Sequence, residues 1–191
     1  MFLLTKPSDE VITKFISDQR ELPLSYPEVG ATQGETPAGY TIDHNRVLLG
    51  SGQEVFDRAI AALRGWKHFD LGWARAVPTS TPLAVGEVVA IVTSHFGFWS
   101  LNACRIVYLI DENGSVRKFG FAYGALSSHV ERGEERFTIE WHEEDDSVWY
   151  DILAFSRPNQ LVVQIGLPVT RMLQKRFARD SKAAMVSACR G

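Results

Sequence analysis

Cysteine is scarce in this chain, metal-spaced histidines and cysteines are missing, and positive charge is not in excess. The 191 residues hold two cysteines, Cys104 and Cys189, far apart and in neither a metal nor a redox spacing. A small secreted domain would carry a denser disulfide framework, so a reducing, cytoplasmic setting is expected. The longest nearly uncharged apolar run of the strand-rich region, Val88 to Leu101, is interrupted by Thr93, Ser94, His95, Gly97 and Ser100. It falls short of the ~20 residues that span a bilayer, and no integral membrane segment is expected. The opening MFLLTKPSDE has four apolar positions before Thr5 and no basic region ahead of them, which is not the pattern of a secretory signal. Lys and Arg number 20 against 23 Asp and Glu, a net charge of -3, whereas a general nucleic-acid binder should be strongly basic. A Gly-x-Ser-x-Gly elbow is absent and Cys104 has no adjacent base, so a hydrolase triad has no local support.

What remains is an ordinary globular composition, 45% hydrophobic and 23% charged. The length suits a single domain over 1-191, divided into a helix and loop (1-39), a strand, helix and antiparallel meander (40-157) and a C-terminal helix (158-190). Ser8 or Asp9 caps a first helix running to about Arg20, with Val11, Ile12, Phe15 and Ile16 on one face. Three prolines and three glycines between Glu21 and Gly39 mark a loop. A strand fits Tyr40 to Leu49. Gly50-Ser51-Gly52 then precedes a helical pattern of Val55, Phe56, Ala59, Ile60 and Leu63, with Ser51 as the natural N-cap. That turn lacks the lysine of a Walker loop and the third glycine of a dinucleotide fingerprint, and no cofactor is expected.

From Trp66 the pattern becomes a meander, with strands over Trp66 to Val77, Glu87 to His95, Leu101 to Ile110, Ser115 to Tyr123, Glu134 to His142 and Val148 to Ser156. Asn113-Gly114 is a hairpin signal, and Glu143 to Asp146 a polar turn. After Arg157-Pro158 the run LVVQIGLPVTRMLQKRFARDSKAAMVSACR suits a long helix, with Pro168 as a kink or start point. The expected class is α+β: a curved antiparallel sheet of about seven strands wrapped on the long C-terminal helix, the helix-grip plan, in which an apolar cavity commonly remains between sheet and helix.

The segments FDRAIAALRGWKHFDLGWARAV, NACRIVYLIDENGSVRKFGFAYGALSSHVERGEERF and SRPNQLVVQIGLPVTRMLQKRFARDSKAAM resemble the domain of unknown function 1990 family, an uncharacterised family, over Tyr40 to Met185. The resemblance implies a START-like or Bet v 1-like ligand-binding fold. It implies no activity.

The densest chemistry lies in FGFAYGALSSHVERGEERF, Phe119 to Phe137, where His129, Glu131, Glu134 and Glu135 gather at the start of a strand. One histidine with three carboxylates has the ligand types for a transition metal and the minimum for proton transfer, so His129 and Glu135 are the catalytic candidates. If Glu134 to His142 is a strand, Glu135 shares the inner, apolar face with Phe137, Ile139 and Trp141. There its carboxylate is desolvated unless something pairs with it. The plain alternative leaves Glu135 at a frayed strand start, with Arg132 or Arg136 pairing the acids. Phe119, Phe121 and Tyr123 share one face and either line a pocket or fill a core.

Charge is asymmetric: eight acids against two bases from Glu131 to Asp146, then six bases against one acid from Arg171 to Arg190. The basic helix either docks on anionic lipid or a protein, or is a solvated face with Met172, Phe177 and Met185 buried. The reading that follows is a protein that binds a small apolar or amphipathic molecule, with Trp99, Phe121, Tyr123, His129, Glu131, Glu134 and Glu135 as the ligand-binding set and no resident metal. The rivals are an enzyme using His129 with Glu131, Glu134 or Glu135 as acid/base or metal ligands, and a membrane-surface or protein-interaction module. A homo-oligomer is compatible with each.

Overall fold

The computed structural model describes residues 1-159 and 167-190. The order is β1 (Phe2–Leu3), α1 (Asp9–Gln19), β2 (Thr41–Ser51), α2 (Gln53–Arg64), β3 (Ala74–Val77), β4 (Val88–His95), β5 (Phe98–Glu112), β6 (Val116–Ala125), β7 (Glu131–His142), β8 (Ser147–Pro158) and α3 (Leu167–Cys189). One antiparallel sheet runs β2-β8-β7-β6-β5-β4-β3, and the two-residue β1 pairs with β5 off that path. The first long strand therefore closes against the last. This is the expected helix-grip class, with seven strands along the path.

The curled sheet has two covered faces. On the concave side α2, the turn after it and α3 pack on Val89, Ile106, Phe121, Phe137, Ile139, Tyr150 and Ile152. On the convex side α1 brings Ile12, Phe15 and Ile16 against Val88, Ala90, Val92, Leu101 and Ala103. Strand alternation puts an apolar set on each face, so β4 reads as a nearly continuous hydrophobic run. A register shift between Ile106 and Tyr108 in β5 adds to the curl, as bulges do.

Several boundaries differ from the sequence expectation for identifiable reasons. Ser8 caps α1, its side chain accepting from the Val11 amide at 3.3 Å. Ser51, the expected cap of α2, is still in β2 opposite Ser147. Gly52 takes the cap position with φ +87°, outside the range a side chain adopts readily, and its amide reaches Asp146 O at 2.9 Å. Only the end of the Trp66 to Val77 segment is a strand. Gly65 stops α2, Trp66 turns left-handed at φ 55°, and Lys67–Phe69 form a 3-10 turn. The aromatics that imitated a strand are instead a plug: Trp66 is 1% exposed and donates its indole N–H to Thr81 O at 3.0 Å. In α3, Met185 is buried and Phe177 packs on the concave core, but Met172 is exposed. Pro168 sits in the first turn of α3, where its missing N–H costs nothing. The apolar opening expected for this helix, 160-166, lies outside the described residues.

Candidate functional site

Between the concave face of the sheet, the 3-10 turn and α3 lies a pocket of about 740 Å³. Strand alternation decides which side chains reach it. From β5 come Ser100, Asn102 and Cys104, from β6 Tyr123, from β7 Glu131 and Glu135, from β8 Ile152 and Ala154, and from β2 Asp43 and Asn45. Phe69 and Trp73 form one flank, and Leu173, Gln174 and Phe177 of α3 form the roof. Much of this wall is apolar, with the polar groups confined to a few strand positions.

Glu135 is the chemically distinctive group. Tyr123, its partner across β6 and β7, donates its phenol O–H to Oε2 at 2.7 Å. Glu135 keeps some surface, and that surface faces the pocket. Loss of hydration lifts its carboxyl from the ordinary 4.5 to about 7; the Tyr123 bond opposes the rise, while Glu131 and Asp43 add to it. Burial likewise raises Tyr123 well above the usual phenol range, with the Glu135 charge next in effect. The Cys104 thiol is pushed up by burial and then by Glu135 and Glu131, which keeps it protonated and a poor nucleophile.

At the mouth a polar clasp joins helix to sheet. Arg171 donates twice to Asp43, at 2.5 and 2.8 Å, and once to the Gln174 side-chain oxygen at 2.6 Å. Gln174 Nε2 in turn donates to Glu131 Oε1 at 2.7 Å and to Ser156 Oγ at 3.0 Å. Burial raises the Glu131 carboxyl, against the Gln174 bond and the Arg171 charge. Four elements thus meet through one arginine and one glutamine.

The remaining expected site residues fall elsewhere. Trp99 points to the convex face and packs with α1, because Ser100 and Asn102 take the inward positions of β5. Phe121 is inward but is solid core, fully buried with ring centroids 5.1 Å from Trp66 and 5.4 Å from Phe137. Glu134 turns its carboxylate to the convex side. There Tyr26 O–H and the Gly30 amide donate to Oε2, each at 2.7 Å, and the Thr32 amide donates to Oε1 at 3.0 Å, joined by the Thr32 hydroxyl. It is 2% exposed and pins the loop between α1 and β2 to the sheet.

His129 borders the pocket, but its Nδ1 accepts the Glu131 amide N–H at 2.9 Å, which leaves the ring proton on Nε2. Burial depresses its pKa to about 4. It is a neutral turn residue at ordinary pH. The arginines do not pair with Glu135 either: Arg136 binds Asp151 and the Thr32 carbonyl, and Arg132 binds Asn159. Asn159 also donates to the Ser127 and His129 carbonyls, so β7 begins at Glu131, three residues before the expected start. Among the described residues no three histidines, cysteines or carboxylates come together as metal ligands.

Sequence reasoning passed over Asp43, Asn102, Phe69 and Gln174. Asp43 and Asn45 alternate with outward His44 and Arg46, a weak signal that β2 has an inward polar end. Arg171 and Gln174 stand three apart on one face of the helix, a weak signal of a polar contact with the sheet. His68 was also unforeseen. It is fully buried among Trp66, Phe69 and Phe137, neither ring nitrogen has a partner, and burial lowers its pKa to about 3.

A curled sheet gripping a C-terminal helix over a lined pocket defines a helix-grip domain. Residues 25-184 match the family described as domain of unknown function (DUF1990), and the chain belongs to that family. A UPF0548 protein of Dictyostelium discoideum is 42% identical over 207 residues, covering 98% of this chain and 95% of that protein. One from Deinococcus radiodurans is 36% identical over 200 residues, covering 98% of each. Among solved structures, a hypothetical protein of Helicobacter pylori superposes with a TM-score of 0.52 at 12% identity, over 88% of this chain and 96% of that one. The last likeness shows the fold alone.

Proposed function

We propose that this protein binds a small, largely apolar or amphipathic molecule between the sheet and α3, with Tyr123, Glu131 and Glu135 as its polar contacts. One observation carries the reading: an apolar pocket of about 740 Å³, the size of a metabolite or short lipid, into which a few polar groups converge. The Arg171–Gln174 clasp is the movable side of that enclosure, since separating α3 from β2 and β7 opens it without unpairing a strand. Two buried free cysteines support a cytoplasmic setting, and no helix among the described residues is long and apolar enough to cross a membrane.

Native mass spectrometry of the freshly purified protein, followed by thermal-shift screening with apolar metabolites, tests this. A co-purifying mass or a saturable rise in melting temperature is expected, and Ala154→Trp, which fills the pocket wall, should abolish it. If no compound shifts the melt and the filled variant behaves like the parent, the binding reading fails.

A further inference from the structure

Three carboxylates face the pocket: Asp43, Glu131 and Glu135. Asp43 is neutralised by Arg171. Glu131 is held by the neutral amide of Gln174 and Glu135 by the phenol of Tyr123, and no described lysine, arginine or histidine forms an ion pair with either. The cationic groups bordering the pocket are occupied or in water: Lys182 reaches Asn45 at 3.4 Å, Arg132 binds Asn159, His44 binds Asp151, Arg179 binds Asp180 with its side chain 74% exposed, Lys175 is exposed, and burial lowers the pKa of His95. His129 is neutral and the Cys104 thiol protonated. Glu135 therefore has no counter-charge in the pocket, and Glu131 feels only the more distant Arg171.

A second observation is independent of the acids. Asn102 of β5 borders the pocket, is 8% exposed, and its Oδ1 has no hydrogen-bond partner. A buried acceptor left alone is unfavourable, so a donor is missing there. The flank and roof beside these groups carry the rings of Phe69 and Phe177, and ring faces attract cations; Trp73 already has Arg176 4.4 Å from its ring centroid.

We infer, resting on the binding reading above, that the natural ligand carries a protonated amine on an apolar, ring-sized body. The ammonium sits on Glu135, and a second donor elsewhere on the ligand meets Asn102. A carboxylic acid of the same body is repelled by the uncompensated Glu135, and an alcohol offers it only a neutral donor. Binding then draws a proton off Glu135, so amine affinity rises with pH across the range where Glu135 ionises and levels off above it.

Calorimetric titration with tryptamine, tryptophol and indolepropionate, which share one body and differ in the head, tests this on the whole protein. Tryptamine should bind about tenfold tighter than tryptophol, as a charge-assisted bond in a dry site allows, and indolepropionate weakest. Its affinity should climb between about pH 6 and about pH 8, on either side of the Glu135 pKa of about 7. Glu135→Gln, which keeps the shape and an acceptor for Tyr123, should remove both the preference and the pH dependence, so that tryptamine and tryptophol bind about equally. Tryptophol binding as tightly as tryptamine, or an amine preference that survives Glu135→Gln, overturns the charge assignment and leaves the binding reading intact. No binding by any of the three, together with no hit in the apolar thermal-shift screen, overturns both.

Discussion

Glu134 and Glu135 are consecutive in β7, and the pleat sends them to opposite environments. Glu134 enters a convex site where four donors from the preceding loop converge on its two oxygens. Gly124 makes the site, since a Cβ there would lie 2.2 Å from the Tyr26 hydroxyl that must cross β6 to reach Glu134. Glu135 enters a concave site with one donor, no cation, and a carboxyl raised to about 7. Both acids are withdrawn from bulk water, but only Glu134 has its hydration replaced. A carboxylate given every donor it can use is an anchor; one left short of partners beside a pocket is a cost the fold carries, and such residues mark functional sites.

Glu134 is the more sensitive of the two to truncation. In Glu134→Ala the Gly30 and Thr32 amides and the Tyr26 phenol lose their acceptor together. Each buried unsatisfied donor costs about 1–3 kcal/mol, and with some rescue by water the variant should lose about 4 kcal/mol. Urea denaturation should show a lower midpoint, and hydrogen exchange should quicken across the loop. A loss under about 1 kcal/mol would mean that the loop is held by something else.

The opposite sign is expected next door. The folded Glu135 binds its proton up to about pH 7, whereas the unfolded chain releases it near 4.5. Across that window the native state holds more protons than the unfolded state, so stability falls as pH rises, and above the window the full cost remains. The shift corresponds to about 2 kcal/mol once the water admitted by the pocket is allowed for. Glu135→Gln should therefore be more stable than the parent above about pH 7 and nearly equal to it below about pH 5. Chemical denaturation of both proteins at the two ends of the window measures this, and a variant destabilised at high pH would make Glu135 a structural group like its neighbour.

How much of this was legible follows the same divide. Period-two alternation and the Asn113-Gly114 turn define the meander, and the inward face of Glu135 follows from alternation alone. Alternation could not tell which apolar face bounds the pocket, because α1 and its loop cover the convex side as fully as α2 and α3 cover the concave one. Trp99, in the expected ligand-binding set, lies on the convex side. The partners of Glu134 lie about a hundred positions upstream in a proline- and glycine-rich loop, where no periodicity links them to β7. Phe121 and Tyr123 share a face, yet one is core and the other borders the pocket, since depth along a strand depends on what the helix covers.

The smallest effect concerns the one bond Glu135 has. Tyr123→Phe removes a donor that favours the charged carboxylate and changes little else, as the ring stays packed 5.3 Å from Phe137. Without that donor the charged form loses about 1 kcal/mol, so the Glu135 pKa should rise further above about 7 by somewhat less than a unit. The pH window over which stability falls should then extend upward by the same amount, because the folded state keeps its proton longer. Carbon NMR titration of the Glu135 carboxyl reads this directly, with Glu135→Gln identifying the resonance. A lowered midpoint would show that the carboxyl donates to the phenol and that the bond favours the neutral acid, and an unchanged one that the bond favours neither form.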